Sequence, residues 1–283
     1  MMGTEITVKS GNLLRGLVIA TGVVVFVLLF FADKTSLNNK KTAEITVPQA
    51  RVVDASASIP PLAPDEKFDA WVLALKDAQG SQQKALLDSV IQHLQQRNRP
   101  DHAAAYAARL AQTDSSFNNL ALAGSLHLQA SQLDYVLQDT ALSRNFATQA
   151  IAWLVRATAL EPRNEDALLN LGMAYIASGR PENSMRGIMS IRQVTEINPS
   201  NPEAQFRLGL FSVQTQQWAK AAERFENVLK LEPDNAVAMY QLAYVRVQMG
   251  QPQGTKAMLE KVLTLTSDAK LRQAASELLN VVP

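Results

Sequence analysis

Residues 202–235 read PEAQFRLGLFSVQTQQWAKAAERFENVLKLEPDN, and residues 236–269 repeat the pattern as AVAMYQLAYVRVQMGQPQGTKAMLEKVLTLTSDA. The interval is 34 residues, linking Asn201 to Asn235, Leu208 to Leu242, Phe225 to Leu259, Val228 to Val262, Leu231 to Leu265 and Pro199 to Pro233. One step upstream, Pro162 to Pro199 and Leu171 to Leu208 are both 37 apart. A fixed period of this length marks a stack of supersecondary units, each burying its apolar face on the next, rather than one globular core. Such arrays present a surface; they seldom carry a reactive centre.

Upstream of the repeat the apolar spacing stays helical. Asp65 stands where it caps a helix bearing Phe68, Trp71, Val72 and Leu75, an i, i+3, i+4, i+7 stripe that Gly80 and Ser81 should end. Residues 83–96 place Leu86, Leu87, Val90, Ile91 and Leu94 on one face. Asn98, Pro100 and Asp101 then suggest a turn, with a small-residue helix from Ala103 to Ala111 completing a hairpin. Further helices are predicted over 120–129 and 145–160, separated by a longer connection at 133–143 in which Tyr135 and Val136 pack.

Leu168, Leu171, Gly172 and Tyr175 spell L-x2-L-G-x2-Y, and Leu208-Gly209 is followed by Ala221-x3-Phe225 and Pro233. These residues resemble the tetratricopeptide-repeat family, whose unit is two antiparallel helices. The resemblance implies an all-α fold, a right-handed α-solenoid of helical hairpins. In it a small residue lets the paired helices approach, Ala221 sits at their crossing, Phe225 fills the gap to the next unit, and Pro233 ends the second helix. The chain also departs from the pattern. Gly172 to Pro199 spans 27 residues against 24 from Gly209 to Pro233, so three residues are inserted, expected in the turn RPENS after Gly179. The last unit has Ala243, Thr255 and Ser267 where Gly209, Ala221 and Pro233 stood. The predicted organisation is repeats over 165–269, degenerate hairpins over 65–164 that match only in outline, and a capping helix over 270–283.

In this family the first helix of each unit lines a concave groove. In the register fixed on Gly209, the resemblance assigns to it Asp166, Leu169, Met173, Ile176 and Ala177, then Glu203, Phe206, Leu210, Val213 and Gln214, then Val237, Tyr240, Tyr244, Val247 and Gln248. The Lys, Arg and Asn set with which such repeats capture a terminal carboxylate is missing. Two readings stand. The row is an apolar groove for a protein or peptide segment, with Tyr240 and Tyr244 its best contacts because tyrosine is favoured at binding hot spots. Alternatively these side chains pack on neighbouring units or on the chain's own terminal helix.

At the other end, residues 16–32 read GLVIATGVVVFVLLFFA without a charge, between Arg15 and Asp33-Lys34. A helix of that length spans about 25 Å, slightly short of a hydrocarbon core of about 30 Å, and Lys9, Arg15 and Lys34 can snorkel to cover the difference. A single transmembrane helix after a short tail (1–15) is favoured over a cleaved signal peptide. The run ends Phe30-Phe31-Ala32, with a bulky residue where a cleavage site needs a small one. A buried core helix has nothing nearby apolar enough to cover it. Lys and Arg nearly balance across the span, so orientation is weakly specified. A short basic tail before a single span favours an extracytoplasmic bulk, with the cytoplasmic face as the alternative. Residues 33–64, ending in Pro60, Pro61 and Pro64, read as a flexible linker whose coil would reach about 30 Å.

Composition excludes several classes. The net charge of +1 provides no field for nucleic acid, and the lack of cysteine rules out disulfides and thiolate metal sites. Apolar residues at 47% with aromatics at 6% suit a folded helical chain. His93, His102 and His127 are the only histidines, and none has metal-ligand spacing. No P-loop, GxGxxG or GxSxG occurs. Glu165 and Asp166 fit a helix N-terminus. The expectation is no enzyme, no cofactor and no metal, and no small-molecule substrate. It is a membrane-tethered interaction scaffold at a bacterial-type membrane or, alternatively, a membrane-anchored chaperone or assembly factor.

Overall fold

Asn164, Asn201 and Asn235 occupy the same place in three successive units. Each side-chain oxygen accepts from the backbone N–H three residues on, at Ala167, Ala204 and Ala238. An asparagine there satisfies one donor that a helix start leaves open, so each repeat carries its own start signal. The computed structural model describes residues 59–282. Within them thirteen helices and no strand form an all-α solenoid of hairpins.

In chain order, α1 is Glu66–Ala74, α2 Gly80–Gln96, α3 Pro100–Thr113, α4 Phe117–Ser131, α5 Asp134–Gln138 and α6 Thr140–Leu160. Then follow α7 Glu165–Ala177, α8 Pro181–Ile197, α9 Pro202–Gln214, α10 Trp218–Leu231, α11 Ala236–Gln248, α12 Thr255–Leu265 and α13 Ala269–Leu279. The helices pair as α2–α3, α4–α6, α7–α8, α9–α10 and α11–α12, and α13 closes the series on α11 and α12. Packing passes from neighbour to neighbour, as a stack of repeats requires. Phe225, fully buried, joins Ala221 of its own helix to Leu242 and Val245 of the next unit, filling the gap that the resemblance assigned to it.

Several expectations are corrected. Gly80 does not end the first helix but opens α2, with φ +54, a conformation that glycine alone adopts without strain. Pro100 and Asp101 do not form a turn; Pro100 is the first residue of α3, where its missing N–H costs nothing. The connection 133–143 contains the short helix α5, with Val136 fully buried. The three inserted residues are not in a turn. Residues 178–180 join α7 to α8 as residues 215–217 join α9 to α10, and the excess lengthens α8 to 17 residues against 14 in α10. Pro181 starts that extra turn, because proline at a helix start is pre-set for it.

The predicted membrane helix at 16–32 and linker residues 33–58 lie outside the described residues. Among the described residues no helix is long and apolar enough to cross a membrane. The last residues assigned to the linker are not loose. Ile59 and Leu62 pack into two apolar clusters of the array.

Candidate partner-binding face

The first helices of the three C-terminal units, α7, α9 and α11, each bury one stripe and leave the next half covered. On α7, Leu169 and Met173 are partly buried against Leu168, Ile188, Ala204 and Leu208, which binds α7 to α8 and α9. Ile176 remains 41% exposed, and Asp166 is exposed at the helix start. On α9, Phe206, Leu210 and Val213 lie partly buried over Ala221, Phe225, Leu242 and Val245. The Phe206 and Phe225 rings are 5.7 Å apart. On α11, Val237 is 44% exposed, Val247 is half-buried and Gln248 is exposed.

The two tyrosines are in different surroundings. Tyr244 belongs to the Phe225 cluster and meets Trp218 edge to face at 6.4 Å. Tyr240 packs against Met239, Leu259 and Ala275 together with Leu278 and Leu279, so the terminal helix α13 covers part of it. Burial raises the Tyr240 hydroxyl, and the neighbouring Tyr244 and Glu277 add to the shift, so it stays a neutral donor. Tyr240 and Tyr244 are both half-buried, and Ile176 and Val237 are the most exposed apolar residues of the row.

None of the face positions carries a Lys, Arg or His. Asp166 and Glu203 are the charged ones, and Glu203 is paired at 2.6 Å with Arg207, whose guanidinium lies 5.9 Å from the Phe206 ring centroid. Arg246 is held by Glu226 of the preceding unit at 2.9 Å, and Arg224 donates to Gln205 at 3.2 Å within the α9–α10 hairpin, so one cation locks two units together and the other locks the two helices of one unit. Glu165 accepts from Asn198 and Asn201, both at 2.9 Å, which lowers its carboxyl. It is thus a staple between units and not only a dipole partner. Trp218 was missed from sequence; it sits one turn before Ala221.

The histidines have structural partners. His93 donates to Asp65 at 2.8 Å and lies between Phe68 and Trp71. His102 donates to the Pro60 carbonyl, and buried His127 to the Ala123 carbonyl. Among the described residues no group of three or more His, Asp or Glu side chains is placed to hold a metal ion.

A chain of stacked helical hairpins whose units pack neighbour on neighbour is a helical-repeat array. The Tetratricopeptide repeat family model matches residues 212–279 and supports that family at this end of the chain. The fold is shared with a tetratricopeptide repeat protein from Parabacteroides merdae (TM-score 0.56, 16% identity, 75% of this chain and 77% of that one). It is also shared with a thermophilic tetratricopeptide-repeat protein of Thermus thermophilus (0.52, 18%, 70% and 100%). A third is MamA from Desulfovibrio magneticus, residues 41 to the end (0.52, 18%, 68% and 100%). At these identities the likeness is one of fold. No curated protein matches the chain.

Proposed function

We propose that the chain is a membrane-tethered scaffold that holds a protein or peptide segment on the apolar face of α7, α9 and α11. The observation that carries this reading is the row Leu169, Met173, Ile176, Phe206, Leu210, Val213, Val237, Tyr244 and Val247. It stays half covered after folding, with no cation among its members. A contiguous apolar row left open on a rigid stack is a surface a partner can desolvate. Each well-covered aliphatic contact contributes about 1.5–3 kcal/mol before association costs. The transmembrane reading of residues 16–32 gives the tether, and the short basic tail before it favours an extracytoplasmic array.

A photo-crosslinking residue at Ile176 or Val237, compared with one at Met189 on α8, tests the face in intact cells. Met189 is 64% exposed, so access is not the difference. Adducts confined to the first two positions support the reading; equal adducts from all three, or none, defeat it. One recurring adduct identifies a scaffold. A broad ladder identifies the chaperone or assembly-factor alternative, which the uncharged lining also suits. Protease shaving of spheroplasts tests the orientation.

A further inference from the structure

Ile59-Pro60-Pro61-Leu62 lies on the junction of α3 and α5, held by a polar group that the repeat pattern does not call for. Arg99, just before α3, grips the Asp101 carboxylate with two N–H groups at 3.0 and 2.8 Å. The same guanidinium donates to the Pro60 carbonyl at 2.5 Å and the Pro61 carbonyl at 3.4 Å. His102 adds a second donor to the Pro60 oxygen at 3.0 Å. Asp101 is 2% exposed and also accepts from the Tyr135 hydroxyl of α5 at 2.7 Å. Burial would raise the Asp101 carboxyl, but the bonds from Arg99 and Tyr135 outweigh it and hold it below its ordinary range. The guanidinium is therefore fixed before anything docks on it.

The segment suits what it meets. Pro60 and Pro61 have no backbone N–H, so their carbonyls are the groups needing partners, and the Arg99 guanidinium, a donor only, and one ring N–H of His102 supply them. An extended proline segment turns once in three residues, which puts Ile59 and Leu62 on one side. Ile59 enters the cluster of Ala130, Val136, Leu142 and Phe146; Leu62 joins the cluster of Leu75, Leu87 and Leu94 beside Phe68 and Trp71.

We propose that this junction is a docking site for an extended apolar–Pro–Pro–apolar segment, filled in cis by Ile59–Leu62. The site ties the segment ahead of α1 to α3 and α5, so that Ile59–Leu62 is held independently of the cap of α1. A pull on the N-terminus is then taken by Arg99, Asp101 and Tyr135 before it reaches α1, a helix with no buried residue of its own.

The test uses the purified full chain and a fluorescent peptide of residues 57–64, ASIPPLAP. Ile59→Asp with Leu62→Asp should empty the site, and the peptide should bind that variant at least about tenfold tighter than wild type, where the tethered segment competes at roughly millimolar effective concentration. Adding Arg99→Ala should abolish the binding. Equal binding to wild type and variant overturns the proposal, as does no binding to a variant of unchanged helical content. A second measurement does not need the emptied site. The chain has no cysteine, so Ala63→Cys takes the sole spin label, expected immobile in wild type and mobile with Arg99→Ala. Mobility that Arg99→Ala leaves unchanged also overturns the proposal.

Discussion

Gly172 and Gly187 face each other backbone to backbone where α7 crosses α8. A Cβ on Gly187 would lie 2.7 Å from the Gly172 carbonyl oxygen, and one on Gly172 would lie 2.8 Å from the Gly187 carbonyl oxygen. In the next unit the corresponding contact is different, because a Cβ on Gly209 would meet the Phe225 ring at 2.6 Å. A ring can tilt; a carbonyl in a helix cannot move alone. Alanine gains up to about 1 kcal/mol of helix propensity over glycine, whereas forced overpacking costs about 1–3 kcal/mol. Gly187→Ala is expected to destabilise the array by up to about 2 kcal/mol net after that gain, measured by urea unfolding followed by circular dichroism. An increase in stability would mean the two helices separate freely.

Thr255 stands at the helix crossing of the last unit, 34 residues after Ala221, and is completely buried with its hydroxyl unpartnered. A buried hydroxyl without a hydrogen bond costs about 1–3 kcal/mol. Valine keeps the shape and removes the polar atom. Thr255→Val should therefore stabilise by about 1 kcal/mol in the same unfolding assay, and a loss would show that the hydroxyl has a partner in solution.

The helical stack was legible because its signals are local and recur. Asparagine caps, prolines and buried Leu, Phe and Val positions return at 34 residues, and each is read without knowing its contacts. The degenerate hairpins were less legible because their close approach is made elsewhere. Gly124 meets the side chain of Leu154, but α5 lies between their helices and shifts the spacing away from the repeat. The inserted residues were misplaced into a turn because length differences in sequence do not say whether a loop or a helix absorbs them; Pro181 at the start of α8 was the available sign. On the face, spacing alone could not separate Tyr240 from Tyr244. The difference is made by α13, which packs on one of them. Arg99, Asp101 and Tyr135 were invisible for a similar reason, since their meeting depends on how α3 and α5 are brought together.

Asp65 joins α1 to α2. One carboxylate oxygen accepts from the Phe68 N–H at 3.0 Å, and the other accepts from His93 at 2.8 Å and Arg97 at 2.9 Å. Its carboxyl lies below the ordinary range, chiefly through the Phe68 N–H. Asp65→Ser keeps a cap and loses the bonds to α2; Asp65→Ala loses both. Hydrogen exchange of the α1 amides should accelerate modestly in the first variant. In the second it should accelerate further, because the Phe68 N–H loses its side-chain acceptor as well. Equal acceleration in both would show that the cap contributes nothing.

His127 gives the array a pH dependence with a definite sign. The ring is 7% exposed in α4, donates to the Ala123 carbonyl at 2.7 Å and lies beside Phe146. Burial disfavours the imidazolium and pushes its pKa down from 6.5 to about 4, against a smaller upward effect of the Ala123 bond. Above 6.5 the ring is neutral in both folded and unfolded chains and contributes no slope. Between 6.5 and about 4 the unfolded chain takes up a proton that the folded chain refuses, so stability falls as pH falls. The loss is on the order of 3 kcal/mol across that window, and it levels off below the folded value. His127→Gln retains a donor for the Ala123 carbonyl but does not titrate. Its unfolding free energy should lose this part of the decline between pH 6.5 and 4. A variant whose decline matches wild type would place the titrating group elsewhere in the chain.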